Sequence, residues 1–141
     1  MNVGEQFAIE LGRVSRQWRK RLDERLKHTG LTQARWMVLL HLSRTGPMSQ
    51  RELAETVGIE GPTLVRMLDS LEGQGLLERR ACEDDRRVKR VYLTEAARPV
   101  LAEITSIATA LRKELLAEMA DGELRAAWKV LKDIGDRLEN L

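Results

Sequence analysis

The sequence predicts a mainly α-helical chain with one small β-hairpin, and three observations lead there. Apolar residues recur at steps of three and four along most of the chain, and glycine and proline cut those runs into helices of unequal length. After Gly75 the period shortens to alternation until about residue 93, with a polar stretch at its centre. Leu, Ala, Glu and Arg, all good helix formers, are abundant throughout.

From Phe7 the apolar positions are Phe7, Leu11, Val14, Trp18, Leu22 and Leu26, one stripe of a long first helix closed by Gly30. Thr32 is placed to cap a second helix through Trp36, Met37, Leu39, Leu40 and Leu42, nearly all apolar and so buried on most sides, before Gly46-Pro47 ends it. Ser49 and Glu52 make an S-x-x-E capping box for a short third helix with Leu53, Ala54 and Val57, stopped by Gly58. The fourth helix opens at Gly61-Pro62, with proline in the first turn where its missing N–H costs nothing, and runs to Gly73 or Gly75. Leu64, Leu68 and Leu71 form its inward stripe. Two short helices joined by a tight glycine-containing turn outline a helix-turn-helix. Residues 76–80 and 88–93 then read as a hairpin around a charged tip, CEDDRR. Thr94 and Glu95 open a long fifth helix with Val100, Leu101, Ile104, Ile107, Leu111, Leu115 and Met119. Asp121 is placed to cap a sixth, striped by Leu124, Trp128, Leu131, Leu138 and Leu141.

The 141 residues suffice for one domain, or for a subunit that completes its core with a partner chain. Three segments follow: an N-terminal helix over 1–31, a helix-turn-helix with its hairpin over 32–94, and C-terminal helices over 95–141, the outer two being candidates for dimerisation. The apolar faces of the first, fifth and sixth helices exceed what a small middle segment can cover. A second copy is the simplest cover, so a homodimer is expected.

Composition removes several alternatives. No apolar run nears the roughly 18 residues of a membrane span, and the N-terminus lacks the order of a secretory signal, so a cytoplasmic protein without a membrane partner is expected. The lone Cys82 builds neither a disulfide framework nor a metal site, and a reducing compartment fits. His28 and His41 are the only histidines, with no glycine-rich phosphate loop and no convergent catalytic set; no enzyme, cofactor or metal is expected. The net charge of +2 says little, but cations concentrate near the N-terminus and over residues 79–90. In the first helix Glu5, Glu10, Asp23 and Glu24 interrupt them, which argues against a membrane-facing surface.

With leucines 64, 68 and 71 inward, Pro62, Thr63, Arg66, Asp69 and Ser70 fall on the opposite face or its edges. Short side chains allow close approach to a major groove, and an arginine can bond guanine O6 and N7 in pairs. The plainer alternative makes Arg66 a solvated residue paired with Asp69 or Glu60. The hairpin tilts the balance towards DNA: Arg79, Arg80, Arg86, Arg87, Lys89 and Arg90 crowd around its tip, and Asp85 can hold one guanidinium and aim it at a narrow minor groove. Ser49 and Gln50, at the start of the third helix, complete the candidate DNA contacts.

The run LAETVGIEGPTLVRMLDSLEGQGLLERRACEDDRRVKRVYLT resembles the winged helix-turn-helix of the MarR family of transcription regulators, and most of all its SlyA branch. The signals are the helical pattern LA-x-x-x-G-I-E-x-P-x-LVR-x-LD-x-LE-x-x-GL and the D-x-R of Asp85 and Arg87 followed by Leu93-Thr94. The resemblance implies a dimer on pseudo-palindromic double-stranded DNA. In it Pro62, Thr63 and Arg66 lie in the major groove, Arg87 in the minor groove, Asp85 orients the wing, and Arg86 contacts the groove or nearby backbone. It implies repression in most members, and activation or relief of silencing, without a dedicated ligand, in SlyA-like ones.

A small phenolic or aromatic carboxylate effector is also implied, in a crevice for which Trp36 and Leu40 supply walls and Arg13 or Arg16 the carboxylate partner. Trp36 as core and Arg16 as solvated remain the alternative. Redox sensing through Cys82 is a further alternative, weighed against an ordinary small residue in a turn beside Glu83 and Asp84.

Overall fold

The computed structural model describes residues 1–141. In chain order it has α1 (Val3–Arg25), a single 3-10 turn (Lys27–Thr29), α2 (Gln33–Thr45), β1 (Met48–Ser49), α3 (Gln50–Val57), α4 (Gly61–Gly73), β2 (Leu77–Ala81), β3 (Lys89–Leu93), α5 (Ala97–Leu116) and α6 (Asp121–Glu139). The expected mainly helical architecture with a hairpin wing is what forms. The chain divides into two compact units, Met1–Ala108 and Thr109–Leu141, and the first takes in the N-terminal helix together with residues 32–94.

In the first unit, α4 is held by the stripe read from the sequence: Leu64, Leu68 and Leu71 are buried, together with Leu53 of α3, Val38, Leu39 and Leu42 of α2, and Leu77 and Val91 of the hairpin. Pro62 stands in the first turn of α4 and no side chain caps it. At its other end a Schellman motif closes the helix: Leu76 N–H bonds Leu71 O at 3.0 Å and Gly75 N–H bonds Glu72 O at 2.9 Å. Gly75 takes φ 78°, a left-handed conformation that a side chain would strain, and this turns the chain directly into β2.

The register Leu77↔Leu93, Glu78↔Tyr92, Arg79↔Val91, Arg80↔Arg90, Ala81↔Lys89 sets two faces of the hairpin. Leu77, Arg79 and Val91 share the inner one. On the outer face Arg80 pairs with Glu78 and lies 4.3 Å from the centroid of the Tyr92 ring. The Thr94 hydroxyl donates to Gly75 O and its N–H to Leu76 O at 3.2 Å, so the returning strand is fastened to the turn it left.

Arg79 joins three elements. From the inner face its guanidinium donates to Asp69 and to Glu72 Oε1 of α4, the latter at 3.0 Å, and to Gln50 Oε1 of α3 at 3.4 Å. Its backbone N–H takes the other Glu72 oxygen at 2.8 Å. Hydrogen bonds from this side chain and backbone hold the Glu72 carboxyl below its usual range; Glu72 in turn raises Arg79, against the opposing effect of burial.

Several boundaries differ from expectation. Helix α1 starts at Val3, with the Asn2 side chain accepting from Glu5 N at 2.8 Å, and stops at Arg25. The 3-10 turn then intervenes before Gly30, its Thr29 hydroxyl donating to Leu26 O. Thr32 occupies the cap position of α2 without a side-chain bond. Strand β1, pairing Met48↔Val91 and Ser49↔Arg90, has no counterpart in the sequence pattern, because two residues carry no period. Helix α5 opens at Ala97 after turn bonds from Ala97 N to Thr94 O and Arg98 N to Glu95 O, both 3.1 Å, and it ends before Met119. Asp121 lies inside α6, where its charge favours the helix N-terminus, and Ala120 holds the cap position.

Because Leu68 is fully buried, Leu68→Ala is expected to cost about 2 to 5 kcal/mol in denaturant unfolding, with an unchanged slope. The Glu72 carboxyl has a lowered folded pKa, so its contribution is present above the unfolded value of about 4.3 and lost as pH falls through the folded value. The stability gap between the native protein and Glu72→Gln is therefore expected to hold steady at neutral pH and close on acidification below about pH 4. Unfolding curves at stepped pH measure it; a gap that widens in acid contradicts the assignment.

Candidate nucleic-acid interface

Burial of its leucine stripe leaves α4 one face to offer. Pro62, Thr63 and Arg66 are all exposed there, at the end where the helix begins. Arg66 enters no ion pair within the chain, and Asp69, three residues on along the helix, is engaged by Arg79. An exposed arginine, a threonine and a proline that projects little give this face a bonding group and room for close approach.

At the hairpin tip, Asp85 Oδ1 accepts from Arg87 N at 3.0 Å and from Arg87 Nε at 3.2 Å, while Oδ2 accepts from Nη2 at 3.3 Å. The side chain is thus held at two of its nitrogens and by its own backbone, yet 91% of it stays exposed. Those bonds, the side-chain bond foremost, keep the Asp85 carboxyl below its usual range and therefore ionised at neutral pH. A guanidinium so fastened loses less freedom on entering a groove than a loose one. Arg86 is exposed beside it. The outcome is a second cationic group, ordered and solvent-facing, carried by the same compact unit as α4.

Other candidates fall elsewhere. Ser49 is buried, and its hydroxyl accepts from Glu52 N and donates to Glu52 Oε1, both at 3.1 Å; it is an N-cap and is spent there. Gln50 gives its carbonyl oxygen to Arg79. Charge alone places Arg79 with the DNA-facing cations; it points inward instead, and only 17% of its side chain is exposed. The signal available in the sequence was alternation, which puts residue 79 on the same face as Leu77.

The four effector candidates do not line an open crevice within the protomer. Trp36 is 2% exposed, with Nε1–H donated to Asp23 Oδ1 at 3.2 Å, and Leu40 is buried, so both belong to the core. Arg13 bonds Glu10, which holds that carboxyl below its usual range; Arg16 is exposed. Cys82 is half-buried just past β2, its N–H bonded to Val88 O at 2.8 Å. No helix is long and apolar enough to cross a membrane, and no group of His, Cys, Asp and Glu has the arrangement to hold a metal.

Comparison with known proteins bears on the fold and the family. The profile of the MarR family matches residues 31–89. Among solved structures the chain is similar to the transcriptional regulator PA3341, with 48% identity over 96% of this chain and 99% of that one at a TM-score of 0.89. It is similar to AbsC, a MarR family transcriptional regulator from Streptomyces coelicolor, with 25% identity over 100% and 98% of the two chains at a TM-score of 0.83. Wild-type MarR from E. coli in its apo form, 23% identical over 95% of this chain and 96% of that one at a TM-score of 0.74, shares the fold. Regulators of this kind bind DNA and act as dimers. A winged helix whose exposed faces carry Arg66 and the Asp85-held Arg87, matched along nearly its full length by a regulator of nearly half the same sequence, belongs to the MarR family of transcriptional regulators.

Proposed function

We propose that this protein is a sequence-specific repressor that binds pseudo-palindromic operators as a homodimer. In each half-site Pro62, Thr63 and Arg66 meet the edges of bases in the major groove, Arg87 enters the flanking minor groove, and Arg86 contacts backbone beside it. The observation that carries this reading is the contrast at Arg66 and Arg87: one has no acid, the other is fastened by Asp85, and both are exposed where their neighbours Arg79 and Arg80 are engaged. Two-fold symmetry then sets half-sites roughly 10 base pairs apart, or a multiple of it.

The homodimer is supported by unpartnered apolar surface. Helix α1 exposes Phe7, Ile9, Leu11 and Val14, and α6 exposes Trp128, Val130, Leu131 and Leu138, Trp128 to 60%. Soluble monomers rarely leave that much apolar surface uncovered. For an aromatic carboxylate effector, burial of Trp36 and Leu40 means that an entering ring has to open the core, and with Arg13 engaged by Glu10, Arg16 is the remaining partner for the carboxylate.

Operators selected from random palindromes and measured by gel shift test the reading. Arg66→Ala is expected to lose about 1 to 3 kcal/mol of discrimination at one base pair per half-site. Arg87→Ala is expected to weaken binding to A·T-rich flanks and lower the salt slope by about one per site. A selected palindrome that binds no more tightly than random duplex refutes sequence-specific regulation. In sedimentation, Trp128→Asp is expected to shift the protein towards monomer and to weaken operator binding with it; an unchanged dimer removes α6 from the interface.

A further inference from the structure

We infer that Arg79 is a positioning residue that sets the register between the two DNA-reading elements, so that Arg66 and Arg87 act as one unit; this rests on the proposed reading of those two arginines. Arg79 touches no outer face and is not itself a DNA contact. Its planar guanidinium reaches Asp69 and Glu72 of α4 and Gln50 of α3, while its backbone N–H fixes the second Glu72 oxygen. The root of the wing is thereby tied to the reading helix through both main chain and side chain. A two-stranded hairpin is otherwise pliant, and here β1 supports it through only the pairs Met48↔Val91 and Ser49↔Arg90.

Consider the charge geometry. Two carboxylates and an amide oxygen on two helices converge on one cation that keeps only 17% of its side-chain exposure. A guanidinium presents several donors in a rigid plane and can satisfy acceptors in different directions simultaneously; an ammonium is a compact point charge whose donors carry no planar constraint. Lysine at this position therefore keeps the charge and gives up the fixed angle. Since Asp69 lies three residues beyond Arg66 on α4, and β2 leads into the loop holding Arg87, the clamp stands at the junction between the two readers.

Double-mutant cycles test this. The protein, Arg66→Ala, Arg87→Ala and the double variant are titrated with a selected operator bearing A·T-rich flanks, first in the native background and then with Arg79→Lys. Coupling is a ratio within each background, so a general change of affinity cancels. In the native background the combined loss is expected to differ from the product of the single losses by about threefold to tenfold, and in Arg79→Lys to match that product within about twofold. Random duplex should bind Arg79→Lys and native protein within about twofold of each other, because phosphate attraction follows charge. Coupling of the same size in both backgrounds, or absent in the native one, overturns the inference, as does a lowered melting temperature with coupling intact, which makes Arg79 merely structural. If Arg79→Lys does not fold by circular dichroism, Glu72→Gln replaces it with the same expectation for coupling; its random-duplex binding is then expected to be no weaker than native, since one negative charge is removed. A native protein with no operator preference instead refutes the proposed function itself, and the inference falls with it.

Discussion

Burial of Leu64, Leu68 and Leu71 is the constraint on which the rest of this molecule depends. Once those three leucines are inward, the helical period leaves no choice about which residues of α4 face out, and Pro62, Thr63 and Arg66 are in the outward set. The same burial sets the wing, because Leu76 bonds Leu71 in the Schellman turn and Leu77 is buried beside it. A buried leucine forfeits on the order of 2 to 5 kcal/mol when truncated to alanine, so the stripe outweighs any one surface ion pair by severalfold. Electrostatics refine an orientation that burial has already chosen.

Much of this was legible in the sequence for a physical reason. Where a residue type has one conformational meaning, reading works: Gly58 and Gly75 end helices in left-handed backbone, Pro62 starts one, and Ser49 caps one. The leucine stripe of α4 was legible because its spacing leaves a single face. Where several residues can satisfy the same backbone group, reading failed. Thr32 and Asp121 both look like caps and neither caps by its side chain, while Asn2, ahead of the first apolar residue of the stripe, does. At the ends of helices water competes with every side chain, and sequence does not say which wins. The two-residue strand β1 carries too little pattern to be seen, yet it pairs with the wing through Val91, a buried residue.

The site was legible by type and less so by role. That Asp85 holds a guanidinium could be anticipated because it lies among arginines, but only the D-x-R of the family resemblance singled out Arg87, which is the one Asp85 bonds. Arg79 could not be assigned by local charge, since its acids lie seven and ten residues back in sequence, across a turn and on another element. Trp36 shows the same limit: helical spacing admits both an aromatic wall and a core group, and its bond to Asp23 depends on how α1 and α2 meet.

The arginines of the hairpin separate into roles by a single consideration, the number and placement of carboxylates each meets. Arg79 meets two, from the inner face, and desolvation makes those bonds hard to exchange for phosphate ones. Arg80 meets Glu78 and rests on Tyr92, an outer-face contact that solvent can replace at little cost. Arg87 meets one carboxylate in the tip and keeps nearly all its exposure. A held but exposed guanidinium still has donors turned to solvent, so phosphate or a groove edge can be added to Asp85 and need not replace it. Asp85 neutralises part of the charge that would attract DNA from a distance, which lowers long-range attraction, and in return it reduces the side-chain freedom lost on binding. For a contact whose value is its position, order outweighs the lost charge; for a contact that only attracts backbone, it does not. In the proposed reading, Arg86 and Arg90, exposed and without a carboxylate partner, would supply the attraction, and the fixed guanidinium of Arg87 the position.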